Sequence, residues 1–236
     1  MTPRAERRLA DLAAAYGLSD TAREQLGRLL AIQAEDPAAS TAIRDPDQAV
    51  DRHVADGLVA LDLPAVRSAR RIADIGAGAG WPGFALAAAL PDARVELVES
   101  AVRRCRYLEL AATESGIGNV EVVHARAEEW HAGLGAHDLV TARAVAALSV
   151  LCEYAAPLLD DDGILVAWKG AVAPEEAADG AAAAAILGLE PIQILPVTPY
   201  AGARDHTLHV FRKVAPTPSR FPRRPGIATK RPLSAK

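Results

Sequence analysis

The chain has 236 residues, half of them hydrophobic, which is enough for one sizeable α/β core and a small extension. Two cysteines and the lack of an apolar run of membrane-spanning length argue against a disulfide scaffold and a membrane protein. The net charge of −4 argues against a nucleic-acid partner until it is divided: residues 212–236 hold eight basic side chains and no acidic one, so the rest, with 18 basic and 30 acidic residues, stands at −12.

The charged N-terminus lacks a signal peptide's apolar core, and Cys105 and Cys152 fall in apolar helical segments as small buried thiols. A reducing, cytoplasmic setting is therefore expected. Residues 1–65 read as a helical extension. Leu9, Leu12, Ala13 and Tyr16 have helical spacing, with Gly17 as a stop. Thr21 and Glu24 form a capping-box pattern ahead of Leu26, Leu29 and Leu30. Asp45-Pro46 reads as an N-cap and first-turn proline for a helix that aligns Val50, Val54, Leu58 and Leu61.

From residue 71 strands alternate with helices, predicting strands at 71–75, 94–99, 120–124, 138–142, 163–168, 191–197 and 206–213. The stretches between the first five are expected to be helical. Residues 66–214 then form a Rossmann-like α/β domain: a mostly parallel seven-stranded sheet with helices on both faces. No helix separates the last two strands, which suits an antiparallel hairpin at the sheet edge. Residues 215–236, with six prolines or glycines among basic residues, read as an extended arm unable to pack a core.

The central signal is Arg71-Ile-Ala-Asp74-Ile-Gly76-Ala-Gly78-Ala-Gly80-Trp81-Pro82-Gly83. A buried strand runs into alternate glycines and a helix start, the setting for an anion near backbone N–H groups. Gly78-x-Gly80-x-x-Gly83 matches the dinucleotide fingerprint, and an NAD-dependent oxidoreductase is one reading. The other frame, Asp74 with Gly76, Gly78 and Gly80, begins at the strand end itself and resembles the first motif of Rossmann-like methyltransferases, whose ligand, S-adenosylmethionine, has the methionine carboxylate as its only anion. Glu99, ending the second strand 23 residues after Gly76, can accept both ribose hydroxyls of either ligand. After the third strand, the Ala127 N–H and the Glu128 carboxylate are placed to read an adenine edge, or else simply start a surface helix. Arg143, following the fourth strand, falls at the carboxyl end of the sheet, as a site residue or in a structural ion pair.

Together with Arg44-Asp45-Pro46, Arg52-His53-x-x-Asp56, Ala127-Glu128, Thr141-Ala-Arg143-Ala, Trp168-Lys169-Gly170 and Phe221-Pro-Arg223-Arg224-Pro-Gly226, this motif resembles the glucose-inhibited division protein B family, over roughly residues 40–233. Those proteins are bacterial 16S rRNA guanine-N7 methyltransferases. The resemblance implies a class I methyltransferase fold, S-adenosylmethionine as cofactor, and cofactor contacts at Gly76, Trp81, Ala127, Glu128 and Arg143. Its usual serine after the helix aspartate is Gly57 here, and its usual smaller residue or phenylalanine is Trp81. Guanine N7 carries no proton, so its methylation needs no general base, which fits the lack of a catalytic dyad or Asn-Pro-Pro-Tyr-type motif. Arg143, Lys169 and His53 are candidates for positioning substrate. Arg52, Arg220, Arg223, Arg224, Lys230 and Arg231 are candidates for RNA phosphates. His53 reads equally as a helix-packing residue, and Lys169 as a solvated strand-end lysine. The expected partner is 16S rRNA or the small ribosomal subunit, for a monomeric protein with no metal. Methylation of another RNA or of a small molecule is the remaining alternative.

Overall fold

A computed structural model describes residues 1–235. Seven strands form one sheet: β1 (Arg71–Ile75), β2 (Arg94–Glu99), β3 (Val120–His124), β4 (His137–Arg143), β5 (Leu159–Lys169), β6 (Leu189–Pro196) and β7 (Thr207–Lys213). Their order is β3-β2-β1-β4-β5-β7-β6, with β7 antiparallel to both of its neighbours. Pro191 and Pro196 suit β6 to its edge position, because an outer strand can forgo ladder donors. The predicted hairpin is present, with β7 inside and β6 outside.

The sheet separates two apolar layers. On one face lie α1 (Pro3–Tyr16), α2 (Asp20–Glu35), the short α3 (Pro46–Ala49), α4 (Asp56–Leu58) and α5 (Pro64–Arg67), then α6 (Gly83–Ala89) and α7 (Val102–Ser115). Leu26, Leu29 and Leu30 of α2 are fully buried there with Ile72 and Val95 of the sheet, so the N-terminal helices share the main core. On the other face lie α8 (Leu148–Ala155) and α9 (Pro174–Leu187). Gly180 lets them touch: a Cβ there would stand 2.8 Å from Leu148 Cβ. Among the described residues no helix is long and apolar enough to cross a membrane.

Several expectations are corrected. The α2 N-cap is Ser19, whose hydroxyl accepts from Ala22 N–H, so Thr21 and Glu24 are not the capping box. Asp45 does cap the next helix, but residues Val50–Ala55 form a π-helical turn rather than continuing the α-helix. Between β3 and β4 there is no α-helix. Two 3₁₀ turns, Ala127–Glu129 and His131–Gly133, flank buried Trp130, whose ring fills the layer a helix would occupy. The C-terminal segment is not a free arm. Phe221 and Ala228 are buried, Ile227–Lys230 form α10, and Leu233 packs on the α8–α9 layer. Composition misled here because two buried anchors suffice to dock a segment that has no apolar periodicity.

Candidate active site

The glycine turn wraps the carboxyl end of β1. Asp74 is 1 % exposed. One of its carboxylate oxygens accepts the Gly83 N–H at 3.0 Å and the other the Thr141 hydroxyl at 2.8 Å, clamping α6 and β4 to β1. Burial pushes its carboxyl up to about 6, against the pull of those two hydrogen bonds. Gly83 is needed for contact, since a Cβ would lie 2.2 Å from Leu97 Cδ2. Gly76 has φ +67, and a Cβ there would meet Val145 Cγ2 at 2.7 Å, so only glycine lets the loop after β4 lie across the turn.

Beside this turn opens a cavity of about 600 Å³ across the carboxyl ends of the parallel strands. Its walls include Gly76 and Val98, the Ala125–Glu128 loop, the Val145–Ala147 loop and Tyr154 of α8, closed by Thr229 and Pro232 of the C-terminal segment. Gly76, Ala127 and Glu128 are thus brought together on one cavity wall. Glu99 is 3 % exposed and faces the turn. It accepts from Gly78 N–H at 3.1 Å, Ala101 N–H at 2.8 Å and the Ser100 hydroxyl at 3.5 Å, with Arg104 Nη1 3.5 Å away, and it stands behind the cavity wall formed by Val98 and Ser100.

The remaining candidates stand elsewhere. The Trp81 side chain turns away from the cavity into the helical layer. Its indole N–H donates to Gln33 Oε1 at 2.8 Å and its ring stacks on His53, with centroids 5.5 Å apart and 5° between planes. Burial, then the Arg143 guanidinium, push His53 down to about 4, so it is neutral at neutral pH. His53 is therefore packed, as its alternative reading held. Gly57 fits the same layer: a Cβ there would stand 2.8 Å from Ala85 Cβ.

Arg143 is organised by the π-helical turn. The Asp56 N–H donates to the carbonyls of Asp51 and His53, leaving the Arg52 carbonyl to accept from Arg143 Nη1 at 3.0 Å. The same nitrogen donates to Asp56 Oδ2 at 2.8 Å. Asp56 also meets His206 Nδ1 at 3.1 Å through Oδ1, and its carbonyl accepts the Trp168 indole N–H at 2.8 Å. Lys169 is held rather than solvated, 2.6 Å from Glu176 Oε1 and 3.2 Å from the Ala146 carbonyl.

Of the basic candidates, Arg52, Arg220, Arg224, Lys230 and Arg231 are exposed. Arg223 is committed internally, its Nε donating at 2.7 Å to Glu153, a carboxylate 2 % exposed. Sequence reasoning did not single out Tyr154, Glu176, Thr229 or Pro232, which carry no motif. Asp56 did stand in one, at the end of Arg52-x-x-x-Asp56. Among the described residues no group of three or more His, Cys, Asp or Glu gathers as metal ligands.

The family model described as rRNA small subunit methyltransferase G matches residues 30–200. A protein of that name from Rubrobacter xylanophilus is 40% identical over 196 residues, covering 80% of this chain and 75% of the relative. One from Deinococcus radiodurans is 36% identical over 215 residues, covering 89% and 85%. Among solved structures, the 16S rRNA (adenine(1408)-N(1))-methyltransferase of Catenulisporales acidiphilia, crystallised with S-adenosylmethionine, aligns with a TM-score of 0.53. It is 19% identical, covering 65% of this chain and 89% of that one. An S-adenosylmethionine-dependent O-methyltransferase of Thermotoga maritima aligns with a TM-score of 0.53 at 18% identity, covering 68% and 64%. These structural likenesses speak to the fold.

Proposed function

The chain belongs to the rRNA small subunit methyltransferase G family, and we infer that it transfers the methyl group of S-adenosylmethionine to N7 of a guanine in 16S rRNA. The observation that carries the cofactor half is the cavity at the end of β1, bounded by the glycine turn on one side and the Ala125–Glu128 loop on the other. The dinucleotide reading fits less well. The third glycine of its frame, Gly83, gives its N–H to Asp74, and an antiparallel β7 inserted before β6 departs from the dinucleotide-binding strand order.

S-adenosylmethionine supplies a sulfonium methyl: the N7 lone pair forms the new bond while the S–C pair returns to sulfur, and no proton is released. The protein's task is therefore alignment and charge, not proton transfer. Gly76 lets the backbone approach the methionine end, Glu99 at the end of β2 is the carboxylate for the ribose hydroxyls, and Ala127 with Glu128 borders the adenine. Gly78 and Gly80 shape the turn, and Trp81 and Arg143 act by holding the neighbouring helix and loop. Arg52, Arg220, Arg224, Lys230 and Arg231 contact phosphates, in the cytoplasm where the small subunit is built.

The test is transfer of labelled methyl to unmodified small-subunit rRNA, followed by mass mapping. The expected product is a single N7-methylguanosine; label on another atom or on no rRNA position overturns the reading.

A further inference from the structure

Two motifs have no part in the cofactor cavity: Arg52-x-x-x-Asp56, which runs from the π-helical turn into α4, and Trp168-Lys169-Gly170. They meet in a second cavity of about 260 Å³, lined also by Arg143, His206 and Thr207. Ala146 lines both cavities, so the loop after β4 is a thin partition between them. That loop begins at Ala144, a non-glycine residue held at φ +56, a conformation that costs free energy and that the surrounding contacts must impose.

The second cavity has the chemistry of a base pocket. Asp56 is its one lining carboxylate, and its bonds to Arg143 and His206 use two of roughly four acceptor positions. The Watson–Crick edge of guanine offers two adjacent donors, N1–H and the N2 amine, which match a carboxylate; the edges of adenine and cytosine each place an acceptor beside a donor. Trp168 and the alanines of the partition supply apolar wall. Lys169 is paired with Glu176 and Arg143 with Asp56, so neither cation stands unbalanced against the positive charge that grows on the purine.

We propose that this second cavity seats the target guanine, with Asp56 accepting from its Watson–Crick edge and N7 turned across the partition toward the methyl donor. The assignment rests on the function inferred above and adds which residues select the base. A paired guanine has to leave its stack to enter.

Gly170 and Thr207 provide plugs from two walls. A Cβ on Gly170 would meet nothing closer than the Asp205 carbonyl oxygen at 4.0 Å, so a larger side chain is accommodated there. Gly170→Leu and Thr207→Leu are to be compared with the wild type in single-turnover methyl transfer to unmodified small subunits. Calorimetry with S-adenosylhomocysteine and thermal unfolding are run on the same proteins. The expected result is transfer slowed about 100-fold or more with S-adenosylhomocysteine affinity unchanged. Transfer by both variants within about threefold of wild type, or affinity falling in step with rate, overturns the assignment. Replacing the target guanosine by inosine, which lacks the N2 amine, is expected to slow the wild type about 10-fold or more, and equal rates overturn the Asp56 contact. A wild type that leaves rRNA unlabelled fails on the inferred function itself, before the variants are compared.

Discussion

The two ends of the chain cover opposite faces of one sheet, and they do so by different means. The N-terminal helices bury a continuous stripe, with Leu9, Leu26, Leu29 and Leu30 between 0 and 4 % exposed. The C-terminal segment has no stripe. It is pinned by Phe221, by the Arg223–Glu153 pair, and by hydrogen bonds from Gly226 N–H to Glu128 (3.1 Å) and between Tyr154 and Thr229 (3.2 Å). Burying a stripe ties the N-terminal end to global stability. Point attachment ties the C-terminal end to the cavity it walls.

The largest effect should come from the N-terminal side. Leu26→Ala removes a fully buried side chain and is expected to cost about 2–5 kcal/mol in chemical denaturation, with one cooperative transition. A separate early transition would mean that the helices form a layer of their own. On the C-terminal side, Arg223→Ala leaves the Glu153 carboxylate buried without its partner, a loss of about 3 kcal/mol. That loss should fall on docking of the segment. Limited proteolysis is expected to cut within residues 215–235, and S-adenosylhomocysteine affinity to drop as Thr229 and Pro232 leave the cavity wall. An uncut segment with unchanged affinity would contradict point attachment.

A smaller and pH-dependent effect lies in the N-terminal layer. Asp74 is raised from 3.8 to about 6, so protonation favours the folded state, and the charged carboxylate subtracts stability progressively as pH rises between those values. Thr141→Val removes the hydroxyl that supports the charged form. Its cost is expected to be about 1–2 kcal/mol at pH 8 and clearly less at pH 5, where Asp74 is mostly protonated. Denaturation at the two pH values checks this; equal costs would place the penalty in packing. The smallest effect on stability belongs to Lys230→Ala with Arg231→Ala, both exposed, at within about 0.5 kcal/mol. The same pair should flatten the salt dependence of RNA binding by roughly 1.5 in log–log slope if both side chains neutralise phosphates. An unchanged slope would remove them from the RNA interface.

Much of this was legible along the chain. Period-3.6 stripes found α1 and α2, Asp45-Pro46 found a helix start, and the strand–glycine–proline run found the turn at the cavity mouth. These features are local: a helix stripe, a cap or a glycine at positive φ is imposed within a few residues by sterics and hydrogen bonding. The acid of the motif, Asp74, was legible as a position but not as a clamp, because its partners Gly83 and Thr141 lie 9 and 67 residues away.

By itself, then, the sequence determined the alternation of strands and helices, the glycine turn beside the cavity at the end of β1, and the charge division between body and tail. Only tertiary structure decided where those charges act. Arg223 and Lys169 look alike as basic residues near a site, yet each is paired to a carboxylate brought from a distant helix, Glu153 of α8 and Glu176 of α9. Asp56 becomes the centre of a second cavity only when β4, β5 and the β6–β7 connection deliver Arg143, Trp168 and His206 to it. A buried charge must find a partner wherever the fold places one, and that placement is a property of the assembled sheet rather than of any segment.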